Sequence, residues 1–160
     1  MRYLKWISFT LAIAFVFSGA GPKETKLTEG IQPGNLAPEM NLQGIDLKGD
    51  GYVLVQFWAA YDPQSRLENT RMYNVISQSE ITGLRMVSVS FDENQAVFQG
   101  IIKTDHLDEA TQWNDPGGTR SAIFKAYRLK TGFGNWLLDS NGVIVAKNVS
   151  PMEVIERISL

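Results

Sequence analysis

The stretch "GYVLVQFW", residues 51–58, restricts the fold more than any other in the chain, because after Gly51 every residue but Gln56 is apolar. A strand that is apolar on both of its faces has to be covered on both, which calls for a sheet with helices packed above and below it. The run ends at "AAYDPQSR", where Asp62 followed by Pro63 has the form of a helix start. A chain of 160 residues, 44% of them hydrophobic, is long enough to bury such a sheet in one domain.

The remaining segments alternate in the same sense. "DPQSRLENTRMYNVISQS" reads as a helix with Met72, Val75 and Ile76 on its inner side, and "LRMVSVSFD" as a second strand. Asp92 and Gln95 have the spacing of a capping box, opening a helix whose apolar stripe is Val97, Phe98, Ile101 and Ile102. "WNDPGGT" is rich in turn residues, and "RSAIFKAYRL" reads as a short helix that packs Ile123, Phe124 and Tyr127. In "NWLLDSNGVIVAK" two apolar runs flank Asn141-Gly142, the signature of a tight hairpin. "SPMEVIERISL" sets Ser150 as N-cap, Pro151 at the first helical position and Glu153 to close the box, with Val154, Ile155 and Ile158 facing the core. Two strands joined through a helix run parallel and a hairpin runs antiparallel, so the expected class is α/β with a central mixed sheet flanked by helices on both faces.

The N-terminus carries a different message. "MRYLK", "WISFTLAIAFVF" and "SGA" have the charged, apolar and small-residue parts of an export signal, giving residues 1–20 as a signal peptide, 21–37 as a flexible linker and 38–160 as the folded domain. The apolar part is short for a membrane span, so membrane association is expected only through an uncleaved signal segment. "FSGA" also resembles a lipobox with Ala20 where the acylated cysteine would stand, and alanine offers no sulfur for a lipid thioether. The expected location is therefore periplasmic or otherwise extracytoplasmic. Losing Arg2 and Lys5 with the signal would make the net charge, −2 for the whole chain, two units more negative. No basic stripe is present, which argues against nucleic acid as a partner. The chain contains no cysteine, which excludes thiol chemistry, disulfides and cysteine metal sites of its own.

Taken together, these segments resemble the thioredoxin fold, and within it the TlpA/ResA-like extracytoplasmic thiol-disulfide oxidoreductases. "APEMNLQGIDLKGDGYVLVQFWAAYDPQSR" is similar to that family's opening, "MVSVSFDE" to its middle strand and next helix start, and "NWLLDSNGVIVAKNV" to its closing hairpin. The resemblance spans most of residues 38–159. It implies a Trp-Cys-x-x-Cys site after Phe57-Trp58-Ala59, but Tyr61 stands at the tryptophan, Asp62 at the first cysteine and Ser65 at the second. The position of the family's cis-proline, which lines the substrate groove, falls on Phe133 between Gly132 and Gly134. Gln56 takes the place of the buried acid that in thioredoxin helps to deprotonate the second cysteine.

Disulfide exchange needs a thiolate made acidic by the positive end of a helix; a serine hydroxyl is far less acidic, and a carboxylate forms no mixed disulfide. Asp62-Pro63-Gln64-Ser65 is instead a good helix start, with Asp62 as the cap. Other chemistry has little support. Ser65 with His106 as base would make a hydrolase site, but no nucleophile elbow is present. Asp62, Asp105, His106, Asp108 and Glu109 could gather a hard cation, but "DHLDE" lacks the spacing of an EF-hand loop. No catalytic residue, metal ligand or cofactor is therefore assigned. The expected function is a redox-inactive, thioredoxin-like binding or structural module of the cell envelope, its partner a protein or peptide of unknown identity. Its candidate surface is Tyr61, Asp62, Pro63, Gln64, Ser65 and Phe133. The alternative is a protein of the oxidoreductase family acting in envelope redox processes with thiols that a partner supplies.

Overall fold

A computed structural model describes residues 27–159. The expected signal peptide and the first part of the linker lie outside the described residues. Five strands form one sheet: β1 (Tyr52–Trp58), β2 (Leu84–Ser90), β3 (Gln112–Asn114), β4 (Asn135–Leu138) and β5 (Ile144–Lys147), in the order β3-β2-β1-β4-β5. β1, β2 and β3 run parallel, and β4 and β5 run antiparallel to their neighbours. The helices are α1 (Pro63–Ser77), α2 (Gln95–Thr104), α3 (Ala122–Ala126) and α4 (Pro151–Ile158).

β1 lies at the centre, which explains its composition. Val53, Val55 and Phe57 face a core shared with Val87, Val89, Phe91, α3 and Trp136. Leu54 faces Met72 of α1 and Val154 of α4, and Trp58 faces Phe98 and Ile102 of α2. The mixed sheet with helices on both faces is as expected. Ser150 and Glu153 form the expected capping box at α4.

Four details differ from the reading of the sequence. Within "WNDPGGT", Trp113 and Asn114 are the end of β3, an edge strand too short to show a periodicity. The cap of α2 is Asn94, whose side chain accepts from Ala96 N, while Asp92 turns inward. The hairpin turn uses one positive φ rather than two: Gly142 sits at φ +78°, and Asp139 Oδ1 accepts from the amides of Asn141 and Val143. That is a wider turn with a glycine bulge, in keeping with the register shift between Leu137 and Leu138. Lastly, residues 28–37, assigned to the flexible linker, are built into the domain. Leu36 N bonds to Thr28 O at 3.0 Å, Ala37 N to Gly142 O at 2.9 Å and Ile144 N to Asn35 O at 2.8 Å. Their Gly and Pro content reflects tight turns on the β5 side, not a loose tether.

One row of the sheet is polar although buried. Gln112, Ser88, Gln56 and Asn135 stand side by side on four adjacent strands, each 6% exposed or less. Asn69 of α1 covers the row, accepting from Ser88 Oγ and donating to Gln112 Oε1. Asn135 exchanges two hydrogen bonds with the backbone of Val149, and Gln56 Nε2 donates to Phe57 O.

Candidate functional site

The carboxyl ends of β1 and β2 adjoin the start of α1, and in open α/β sheets the crevice outside the carboxyl ends is where ligands bind. Asp62 adopts extended backbone angles (φ −112°, ψ 95°), and its Oδ1 accepts from Ser65 N at 2.8 Å. Pro63 takes the first helical position, where its missing N–H is no loss. Ser65 points back into the protein. Its Oγ accepts from Ala59 N at 3.2 Å and donates to Asp62 O at 3.1 Å.

The other side of this loop is held by Asp92. Both of its carboxylate oxygens accept from Ala60 N, at 2.9 and 3.1 Å, and Oδ2 also accepts from Ser90 Oγ. Asn114 Nδ2 donates to the Asp92 carbonyl, so β3 braces the same corner. The start of the loop 59–62 is thus fixed by side-chain oxygens that accept from the amides of Ala59 and Ala60, and its end by the backbone bond from Asp62 N to Ala59 O.

Tyr61 projects from this loop and is 59% exposed. Phe133 is half-buried, stacked on Phe91 (ring centroids 6.1 Å, 21° between planes), edge-on to Phe124, and 6.3 Å from the ring of Tyr61. Tyr61 divides two open clefts. One, of about 550 Å³, is bordered by Tyr61, Asp62, Phe124, Leu129, Lys130 and Phe133. The other, of about 500 Å³, is bordered by Ala60, Tyr61, Phe91, Glu93, Val97 and Thr119. Partial burial raises the pKa of the Tyr61 phenol, and the carboxylates of Asp92, Asp62 and Glu93 push it in the same direction. The phenol stays protonated, able to donate.

The structure brings Tyr61, Asp62, Pro63 and Gln64 together on the surface, with Phe133 beside Tyr61. Ser65 does not belong to that surface: it is 3% exposed, and its hydroxyl is engaged by backbone. The same engagement removes it as a nucleophile, and none of its hydrogen bonds involves His106, which stands exposed just beyond the C-terminal end of α2. Asp105 is taken up by Arg66, in a bidentate pair at 2.5 and 2.7 Å. Among the described residues, no group of three or more His, Asp or Glu is placed to hold a metal ion. Sequence reasoning missed Asp92, read as a helix cap, and the exposed side chains of Leu67 and Val97 at this end of the molecule. The signal for Asp92 was its place two residues beyond the end of β2, a strand parallel to β1.

No family model and no curated protein matches the chain. Solved structures do. A thioredoxin-like protein from Parabacteroides distasonis is 37% identical, with a TM-score of 0.80 over 84% of this chain and 100% of that one. A thiol-disulfide oxidoreductase from Bacteroides fragilis is 26% identical, with a TM-score of 0.55 over 68% of this chain and 80% of that one. StoA from Bacillus subtilis, 20% identical, shares the fold, with a TM-score of 0.56 over 69% of this chain and 84% of that one. Similarity of the first kind, over a relative's whole length, together with the sheet order and the helix start at Asp62, establishes that the chain belongs to the thioredoxin-like family, as a member with no cysteine in its sequence and with Asp62 and Ser65 at the two positions where the resemblance to the oxidoreductases places the active-site pair.

Proposed function

We propose that the protein is a redox-inactive thioredoxin-like module of the cell envelope that binds a protein or peptide at the carboxyl end of β1. One observation carries the reading: no sulfur stands where electrons would be exchanged, and Asp62 and Ser65 are committed to hydrogen bonds that start α1. The exposed ring of Tyr61 and the clefts on either side of it supply the surface, since exposed aromatics beside concave apolar walls favour association. The charged, apolar and small-residue pattern of residues 1–20 supports export. No helix among the described residues is long and apolar enough to cross a membrane.

Reduction of insulin by dithiothreitol tests the first half of the proposal. The protein is expected to leave the rate at that of the blank; turnover above the blank, with no other thiol protein present, overturns redox inactivity. Capture from envelope extract tests the second half when run beside the double variant Tyr61→Ala/Phe133→Ala. A partner that binds both proteins equally well would place the binding surface elsewhere.

A further inference from the structure

We propose that the cleft between Tyr61, Asp62 and Phe133 receives a cationic side chain, the arginine or lysine of an extended segment of the partner. This rests on the reading of that surface as a binding site. The positions where the chain departs from the Trp-Cys-x-x-Cys and cis-proline pattern that the resemblance implies supply the reason. Three of them, Tyr61, Asp62 and Phe133, border the same cleft of about 550 Å³, together with Phe124. Asp62 adds a carboxylate and Phe133 an aromatic ring, while Tyr61 keeps an aromatic ring where the family pattern has tryptophan, so all three present a group that attracts a cation. A guanidinium or ammonium is drawn to the face of an aromatic ring and forms charge-assisted hydrogen bonds with a carboxylate.

The electrostatics agree with the geometry. Asp62 uses Oδ1 for the cap, while its Oδ2 makes no hydrogen bond among the described residues. Neither Asp62 nor Lys130 takes part in an ion pair among the described residues. Glu93 stands across Tyr61 in the neighbouring cleft, tied to Arg120 only by an exposed contact at 3.5 Å. Beyond the effect of burial, three carboxylates raise the pKa of the Tyr61 phenol, which reports a negative field at the ring. Lys130 lies on the rim formed by residues 129–133. Its charge opposes a cation at that rim, which leaves the Tyr61–Asp62 end as the seat.

The test is a titration of the 15N-labelled protein with three capped peptides, Ala-Leu-Arg-Leu-Ala and its counterparts with Gln or Glu at the centre. The Arg peptide should shift the amide signals of residues 60–64 and 132–134 and bind about tenfold more tightly than the Gln peptide, with the Glu peptide weakest. Asp62→Asn keeps a capping oxygen and so keeps the fold, and it should remove most of the preference for Arg over Gln. Lys130→Ala should strengthen binding of the Arg peptide. Equal affinity for Arg and Gln peptides, with the same signals shifting, would overturn the cation proposal and leave the binding surface standing. If no peptide shifts these signals, the surface and the proposal fall together.

Discussion

The hydroxyl of Ser65, and not the charge of Asp62, is the stronger support of the α1 start, and truncating each to alanine separates the two contributions. In Ser65→Ala the amide of Ala59 loses its acceptor, Oγ at 3.2 Å, inside a region where Ala59 is 0% and Ser65 3% exposed. Water cannot replace the lost partner without opening the corner, and an orphaned buried donor costs roughly 1–3 kcal/mol. The carbonyl of Asp62 loses one donor but still accepts from Arg66 N at 3.1 Å, so it adds little. The expected cost is therefore about 2 kcal/mol. In Asp62→Ala the amide of Ser65 loses its cap, but Asp62 is only half-buried and water reaches the helix end, so about 1 kcal/mol is expected. Urea unfolding followed by tryptophan fluorescence measures both. With a slope of about 2 kcal/mol per molar for a domain of this size, the midpoint falls by roughly 1 M for Ser65→Ala and by half of that for Asp62→Ala, the slope unchanged. A Ser65→Ala midpoint no lower than that of Asp62→Ala would refute the assignment of the hydroxyl as the anchor.

Two further outcomes follow from ionisable groups on either side of the sheet. The Arg66 guanidinium holds the carboxyl of Asp105 below the usual carboxylate range, so the pair's stabilisation is present above about pH 4 and is lost as pH falls through the lower folded-state value. Arg66 is a third exposed, which limits the effect to about 1 kcal/mol or less; urea midpoints measured from pH 7 down to 2 should fall less steeply for Arg66→Gln than for the wild type. Burial pushes the Tyr127 phenol far above its ordinary value, with a smaller contribution from Glu29, and its hydroxyl donates to Pro38 O at 2.9 Å. That stabilisation is present below about pH 10 and is lost as pH rises through the folded-state value. Tyr127→Phe should cost about 1 kcal/mol at pH 7 and flatten the alkaline loss of melting temperature; an alkaline profile identical to that of the wild type would contradict it.

How far the fold could be read ahead of the structure varied with how locally each part is determined. The strand over 52–58 and the helix over 63–77 were legible because burial on two faces and an Asp-Pro cap leave local traces. β3 left none, because three residues at a sheet edge carry no period. Asp92 and Gln95 satisfied the spacing of a capping box, yet a tertiary contact, the amide of Ala60 thirty-two residues earlier, took the carboxylate. Ser65 looked like surface because it is polar and near a loop. Its burial depends on the inward path of Ala59, which no helix pattern encodes. Phe133 beside Tyr61 was legible only through the resemblance to a family whose groove is known, since 72 positions separate them in the chain.

The polar row aligns the strands of the sheet beneath α1, and it allows one decisive measurement. Gln112, Ser88, Gln56 and Asn135 are all neutral, so nothing in the row beneath α1 changes charge near neutral pH. What the row does supply is alignment: a one-residue slip of any strand would carry its amide or hydroxyl to the opposite, apolar face. Such a row tolerates no ion, and Gln56→Glu puts an acid at its centre, in a position 0% exposed. Burial there raises the folded-state pKa of the new carboxyl, so the variant is near wild type below about pH 4 and loses stability as pH rises. A tenfold change in an ionisation equilibrium is worth about 1.4 kcal/mol, and full burial can weaken a carboxylic acid by roughly a thousandfold or more, so a loss of about 4 kcal/mol by pH 8 is expected. Urea unfolding of Gln56→Glu and the wild type across pH 4–8 gives the difference directly. A flat difference over that range would mean that solvent reaches the centre of the sheet, and the account of a dry, neutral row that sets strand register would have to be abandoned.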